Sequence, residues 1–329
     1  MIKNHLSYPV LNFLMLDYKL LSALATVIEC GGFERAGEAL GLSQSAVSQR
    51  IKTLEIRLGQ PVLVRHPQLT ATPAGQRLLN HYQRVCLLER ELGQTLPTLE
   101  VASPRLRIAL NADSLVTWWA SAVSAFCRRE NVLMDLVIED QDVGLKRLRD
   151  GDVAACLCAS DQPIAGARCV SLGTMTYHPM ATPDYVADYF PDGPGEKAFR
   201  QAPAIVYGPN DQLQHRFLSQ FGYHGPFPYH LCPESEGFVR LASAGMGYGM
   251  IPIIQVQEAV ERGELISLAP GHALSVPLYW HFWRHSGDLM ERLTQELAAT
   301  SLDADGGLRG HDDRKNHPEK GSAAALGYS

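Results

Sequence analysis

Apolar positions in residues 18–58 recur with helical periodicity and fall into three short groups separated by glycines. Leu21, Leu24, Val27 and Ile28 predict a helix over about Tyr18–Cys30. Phe33, Ala36, Ala39 and Leu40 share a face of a second helix, Phe33–Leu40, and Val47, Ile51, Leu54 and Leu58 line a third. Between the second and third, Gly41-Leu42-Ser43 makes a sharp reversal, with Gly41 tolerating left-handed backbone and Ser43 capping the helix that follows. Gly59-Gln60-Pro61 stops that helix, and Val62–Arg65 and Leu69–Ala71 read as short strands around the turn His66-Pro67-Gln68. Three helices and a hairpin predict a winged helix-turn-helix over residues 16–75.

Thr72-Pro73 opens a further helix that runs to about Leu96, before Pro97. Leu78, Tyr82, Val85, Leu88 and Leu92 recur along it like a short coiled-coil seam, so residues 72–97 are expected to be a linker and dimerisation helix. The alternative is one amphipathic helix lying on its own domain. Residues 105–299 alternate strand and helix: strands Arg105–Leu110, Leu133–Glu139 and Val153–Ala159, with helices Leu115–Arg129 and Val143–Arg149. That alternation predicts a mostly parallel sheet covered on both sides. A second such unit covers about His178–Leu268, including a helix at Glu236–Ala244 and a buried strand at Tyr248–Ile251. Strand Val276–His281 and helix Asp288–Ala298 return to the first. The expected fold class is therefore α/β: a winged helix-turn-helix, a long linker helix and a two-lobed α/β domain. Residues 300–329 are polar and of mixed charge and are expected to be a disordered tail.

The polar face of the third helix begins with Gln44, Ser45, Ser48 and Gln49 and continues with Arg50 and Lys52. Short polar side chains suit base edges in a major groove, and cations suit phosphates. Helical hairpins with glycine turns and serine caps are common, so the surrounding helix and wing carry the DNA-binding reading. In the two-lobed domain a ligand is expected in the cleft, near strand ends and helix N-termini. Asn111, Asp113 and Ser114 sit where a strand gives way to a helix, and free N–H groups there can receive a carboxylate. Glu139 and Asp140 end the next strand, and Ser235 and Glu236 open a helix in the second lobe. A cleft with one anion-accepting end and one carboxylate-rich end suits a zwitterion with an extra cation. The plainer reading leaves these acids as ordinary helix-start charges.

The chain carries 29 Lys and Arg against 35 Asp and Glu, a net of −6, but the charge is unevenly spread. Residues 16–96 hold nine basic and seven acidic side chains, a net of +2, whereas residues 105–299 hold fifteen and twenty-two, a net of −7. Only the N-terminal module is suited to phosphate, and its small excess requires placed contacts rather than bulk attraction. No apolar run approaches the ~20 residues of a membrane span. Seven cysteines without a spacing framework fit a reducing cytoplasm. Residues 1–14 are apolar in part and are read as an upstream extension or a misplaced start, because a signal peptide needs a longer core and a cleavage site. No cofactor or metal is expected: Cys156-x-Cys158 has no second pair, and the glycines at 245, 247 and 249 lie between helix and strand, the wrong order for a pyrophosphate cradle. No GxSxG elbow accompanies Ser114, and an enzyme is not expected.

The run Phe33, Ala36, Ala39-Leu40, Leu42–Ser48, Ile51, Leu54-Glu55, Leu58-Gly59 and Thr72-Pro73-Ala74-Gly75 resembles the signature of LysR-type transcriptional regulators, and the similarity extends to about residue 299. Within that family, Gln49-Arg50-Ile51-Lys52, Asn111–Leu115, Met250-Ile251-Pro252 and Leu278–His281 resemble the ArgP-type branch, which senses basic amino acids and controls their export. The resemblance implies DNA contacts from Arg35, Ser43, Gln44, Ser45, Ser48, Gln49, Arg50, Lys52 and Arg65. It also implies a sensor resembling periplasmic solute-binding proteins, with lysine or arginine as effector. Expected partners are a pseudo-palindromic double-stranded operator, the effector, a second copy in a homodimer or homotetramer, and RNA polymerase. Two departures bear on function: the wing tip has only Arg65 as cationic support, and Pro233-Glu234 adds an acid beside the expected site. A regulator with another effector, a ligand-independent architectural protein and an α/β enzyme with an accidental helical N-terminus remain as alternatives.

Overall fold

The computed structural model describes residues 16–95, 104–139, 144–284, 286–300 and 302, and the chain divides into two compact units, Met1–Cys86 and Leu87–Ser329. In the first unit, α1 (Tyr18–Cys30), α2 (Phe33–Leu40) and α3 (Gln44–Leu58) coincide with the expected helices. Asp17 caps α1 by accepting from the Lys19 N–H. Gly41 holds a φ of 64°, the left-handed turn its position demands. Leu21, Leu24, Val27, Ala36, Val47 and Ile51 are fully buried, so the three helices close one core.

The wing is shorter than its sequence suggests. Strands β1 (Leu63–Val64) and β2 (Thr70–Ala71) pair antiparallel over two residues each. The ladder ends at Val62: its carbonyl still accepts from the in-register Thr72 N–H, but its own N–H is diverted to the Glu55 carboxylate. Helix α4 (Pro73–Thr95) follows, with the Thr72 hydroxyl accepting from the Gly75 N–H at 3.1 Å. A Cβ on Gly75 would lie 2.1 Å from the Val62 carbonyl oxygen, so only glycine lets α4 pass this close to the wing. Part of the face expected to form a seam along α4 also packs within its own domain. Leu78 and Tyr82 pack with Leu79 against the winged-helix core, while Val85 is half-buried and Leu88 exposed.

In the second unit, lobe I is built from β3 (Arg105–Leu110), α5 (Ala112–Ser114), a π-helical turn (Leu115–Trp119), α6 (Ala120–Glu130), β4 (Leu133–Ile138), α7 (Gly144–Asp150) and β5 (Ala155–Cys158). Strand β6 (Ala167–Ala181) crosses to lobe II, which contains α8 (Pro183–Tyr189), α9 (Glu196–Phe199), β7 (Ala204–Val206), α10 (Leu213–Ser219), β8 (Tyr229–Leu231), α11 (Ser235–Ser243), β9 (Gly249–Pro252), α12 (Ile253–Glu261) and β10 (Ile266–Ser267). Strand β11 (Leu274–Trp283) returns, and α13 (Gly287–Ala299) closes lobe I. The main sheet runs β10-β6-β11-β5-β3-β4, with β9 also on β6.

This sheet is mixed rather than mostly parallel. Among the described residues its parallel pairs are β3 with β4 and β5, whereas β6 and β11 pair antiparallel from Leu274↔Tyr177 to Trp283↔Ala167; β7 and β8 pair parallel as a separate two-stranded sheet. A chain that leaves one lobe and returns sends its crossing strands in opposite directions, and their adjacency makes the ribbon antiparallel. Lobe I is filled by Trp118, Trp119 and Trp280, and the Trp280 indole donates to Thr294. Phe199, Phe217 and Tyr248 fill lobe II. The expected tail starts later than residue 300, because Leu302 is buried and its N–H donates to the Leu172 carbonyl. Residues 303–329 and the expected extension at 1–14 lie outside the described residues.

Candidate functional site

On the first unit, burial of Val47, Ile51 and Leu54 turns the opposite side of α3 outward. Gln44, Ser45, Gln49 and Lys52 are exposed there, with Ser48 and Arg50 half-buried beside them. Ser43 caps α3, as its position predicts: its hydroxyl accepts from the Ala46 N–H at 3.2 Å and lies 3.0 Å from the Ser45 hydroxyl. Arg35 is exposed, with only a 3.4 Å contact to the Gly31 carbonyl. Arg65, on the wing, is exposed and stands 5.1 Å from the Phe33 ring centroid, a cation–π arrangement that aims the wing's one cation.

The second unit contains a cavity of about 610 Å³ between its lobes, within the usual range for a small-molecule site. Lobe I contributes Asn111, Ala112, Asp113, Glu139 and Ala159, the crossing strand β11 contributes Val276 and Pro277, and the other lining side chains belong to lobe II. Asp113 is the hub. Its carboxylate accepts from the Tyr177 hydroxyl at 2.7 Å and from the Ser235 hydroxyl at 2.7 Å, joining lobe I to the crossing strand and to lobe II. The Gln255 carboxamide supports Ser235 from α12, donating to its hydroxyl at 3.2 Å. Burial pushes the Asp113 carboxyl above its ordinary range, the two hydroxyl donors partly offset this, and the charge of Asp211 adds to the rise. The Asn111 carboxamide lies at the same wall, 5% exposed, with neither its nitrogen nor its oxygen hydrogen-bonded to the described residues. Such a group is costly unless a bound partner satisfies it.

The structure sorts the sequence-derived effector residues. Asn111, Asp113, Glu139 and Ser235 come together around the cavity. Ser114 does not: the helix already begins at Ala112, which turns Ser114 inward, fully buried and away from the lining. Glu236 also fails. It is 63% exposed on α11 and faces Arg240 one turn on, at 3.8 Å, rather than the cavity. Asp140 lies outside the described residues. Glu139 lines the cavity but is ion-paired with Arg147, which offsets its charge. The added acid, Glu234, caps α11 by accepting from the N–H groups of Glu236 and Gly237.

Sequence reasoning passed over the segment Tyr207–Arg216. Tyr207, Asn210, Asp211, Gln212 and Arg216 line the cavity, and Asp211 holds the turn by accepting from the N–H groups of Tyr207 and Leu213 at 3.0 and 2.9 Å. The signal was present: Gly208-Pro209-Asn210-Asp211 joins a buried strand to a helix, the same junction that marked Asn111–Ser114. Tyr177 and Gln255 carried none, since each sits inside a regular element. Cys156 and Cys158 pack with Leu145 and Leu148 beneath α7, consistent with a core role.

Comparison with known proteins places these features in a family. Residues 18–76 match the bacterial regulatory helix-turn-helix protein model of the lysR family, and residues 100–304 match the LysR substrate binding domain. The chain is 58% identical over 292 residues to the HTH-type transcriptional regulator ArgP of Pseudomonas aeruginosa, covering 88% of this chain and 97% of that one. It is 40% identical over 290 residues to the ArgP of Vibrio vulnificus, covering 86% and 96%. Among solved structures it is similar to ArgP from Mycobacterium tuberculosis, at 35% identity and a TM-score of 0.72, covering 90% of this chain and all of that one. Another is full-length LysG from Corynebacterium glutamicum with bound effector Arg, at 31% identity, a TM-score of 0.62 and the same coverage. These relatives are transcriptional regulators, not enzymes. With a helix-turn-helix module and a substrate-binding domain that together span most of its length, the chain belongs to the LysR family of bacterial transcriptional regulators.

Proposed function

We propose that this regulator senses lysine or arginine in the cavity of its second unit, and that its targets are genes of basic amino-acid export. The observation that carries the reading is the sign of the cavity wall. Among the described residues, Asp113 and Asp211 line it against one cation, Arg216, a net of −1, with Glu139 already matched by Arg147. A ligand of net charge +1 complements such a wall, whereas an acidic ligand is repelled and a neutral one leaves it uncompensated. Asp113 then has two tasks, receiving a ligand cation and holding Ser235 of the other lobe. A ligand that changes the hydrogen bonding of Asp113 changes the lobe–lobe tie, provided its affinity differs between the two arrangements. The relatives named ArgP and the neighbour LysG, whose bound effector is arginine, support the same class.

For the DNA face we propose that Gln44 and Gln49 read base edges with Ser45 and Ser48 beside them, and that Arg35, Arg50, Lys52 and Arg65 meet phosphates. Ser43 serves by positioning α3. Calorimetry of the full-length protein against lysine, arginine, glutamine, leucine and glutamate tests the effector class. Heat with the first two alone is expected, and a preference for glutamate or leucine overturns the reading. Binding to the chain's own upstream DNA, with and without the two basic amino acids, links the site to output.

A further inference from the structure

Resting on the basic amino-acid reading, we infer that Arg216 is the specificity-determining residue that reads the effector's carboxylate, so that the ligand's zwitterionic end lies in lobe II and its side-chain cation in lobe I. The anchors expected from sequence give another arrangement, with the carboxylate at Ser114 and the cation at Asp140 and Glu236; Ser114 and Glu236 are not among the lining residues, and Asp140 lies outside the described residues. Arg216 does line the cavity. It projects from α10 at the cavity wall, is the only cationic lining residue among those described, and its guanidinium has no carboxylate partner among the described residues. A charged fork left unpaired in an otherwise acidic cavity is matched to a planar carboxylate, which it can bind bidentately.

The neighbouring chemistry agrees. Asp211 shares the 207–216 segment with Arg216, and each of its oxygens accepts one backbone N–H, leaving lone pairs for an α-ammonium. Across the cavity, Asp113 accepts only from neutral hydroxyls and carries no ion pair among the described residues, so it is the carboxylate suited to the distal cation. Glu139 is already matched by Arg147. A zwitterion at Asp211 and Arg216 with a cation at Asp113 places opposite charges together at both ends. The reverse orientation sets the ligand's side-chain cation against Arg216.

The test compares amino acids with their decarboxylated amines on the full-length protein. Calorimetry is run with lysine and cadaverine, and with arginine and agmatine, on the wild type and on Arg216→Gln and Arg216→Lys. Arg216 is exposed and outside the core, so both variants should melt like the wild type. Arg216→Gln is expected to weaken both amino acids by about 10- to 100-fold, the range of a charge-assisted hydrogen bond, and to leave the amines unchanged or tighter. Arg216→Lys, which keeps the charge but loses the fork, should fall between. Equal losses for acid and amine, or no loss for either, overturn the role of Arg216 while the effector class stands. A wild type that binds neither amino acid overturns both.

Discussion

Asp113 shows how much one side chain can be asked to do. Burial raises its carboxyl above the ordinary range, so the folded protein holds that proton more tightly than the unfolded chain does. Stability from this group is therefore greatest below the ordinary aspartate range and falls as pH rises through the raised value, because the folded state must then carry a poorly solvated charge. Cation binding has the opposite sign, since only the ionised carboxylate attracts a ligand cation. We expect lysine affinity to rise with pH through that same window, and Asp113→Asn to lower it about 10- to 100-fold and flatten its pH dependence. Calorimetry from acidic to neutral pH checks this, and an unchanged profile in the variant would remove Asp113 from the site.

At the scale of elements, α3 is useful because its two faces are kept apart. Val47, Ile51 and Leu54 hold one side in the core, the Ser43 cap holds the first turn, and the polar face is presented by default. The wing and α4 are set by a closer fit, the passage of Gly75 beside the Val62 carbonyl. Gln49→Ala is expected to cost about 1–3 kcal/mol on the true operator and little on random DNA, the mark of base reading. Lys52→Ala should weaken both and flatten the salt dependence by about one counterion. Titrations at several salt concentrations separate the two, and equal losses on both DNAs for Gln49→Ala would assign that residue to the backbone instead.

For the whole molecule, two-fold binding is what a weakly basic DNA module needs, and members of this family oligomerise. The first turns of α4 also pack within their own domain through Leu78 and Tyr82, and further along Val85 is half-buried and Leu88 exposed, so we expect the later positions to carry pairing. Val85→Asp is expected to weaken self-association and operator affinity together, because it places a charge in an apolar contact. Lysine binding by the second unit should persist. Sedimentation at low protein concentration reads the first effect, and an undiminished dimer would move the seam elsewhere.

Local chemistry was legible in the sequence because it depends on near neighbours. Apolar spacing placed α1, α2 and α3, Thr72-Pro73 opened α4, and glycine at position 41 marked the turn. The strand-to-helix junction at Asn111 marked one wall of the cavity. Tertiary structure decided what depends on distant partners. It made the sheet mixed by pairing β6 with β11, and it turned Ser114 and Glu236 away from the cavity through one extra helical turn and an i,i+4 ion pair. It also gathered Tyr177, Ser235 and Gln255 around Asp113. Periodicity tells which face of an element is buried. Which side chains from elements far apart in sequence share a cavity follows only from how the crossing strands bring the two lobes together.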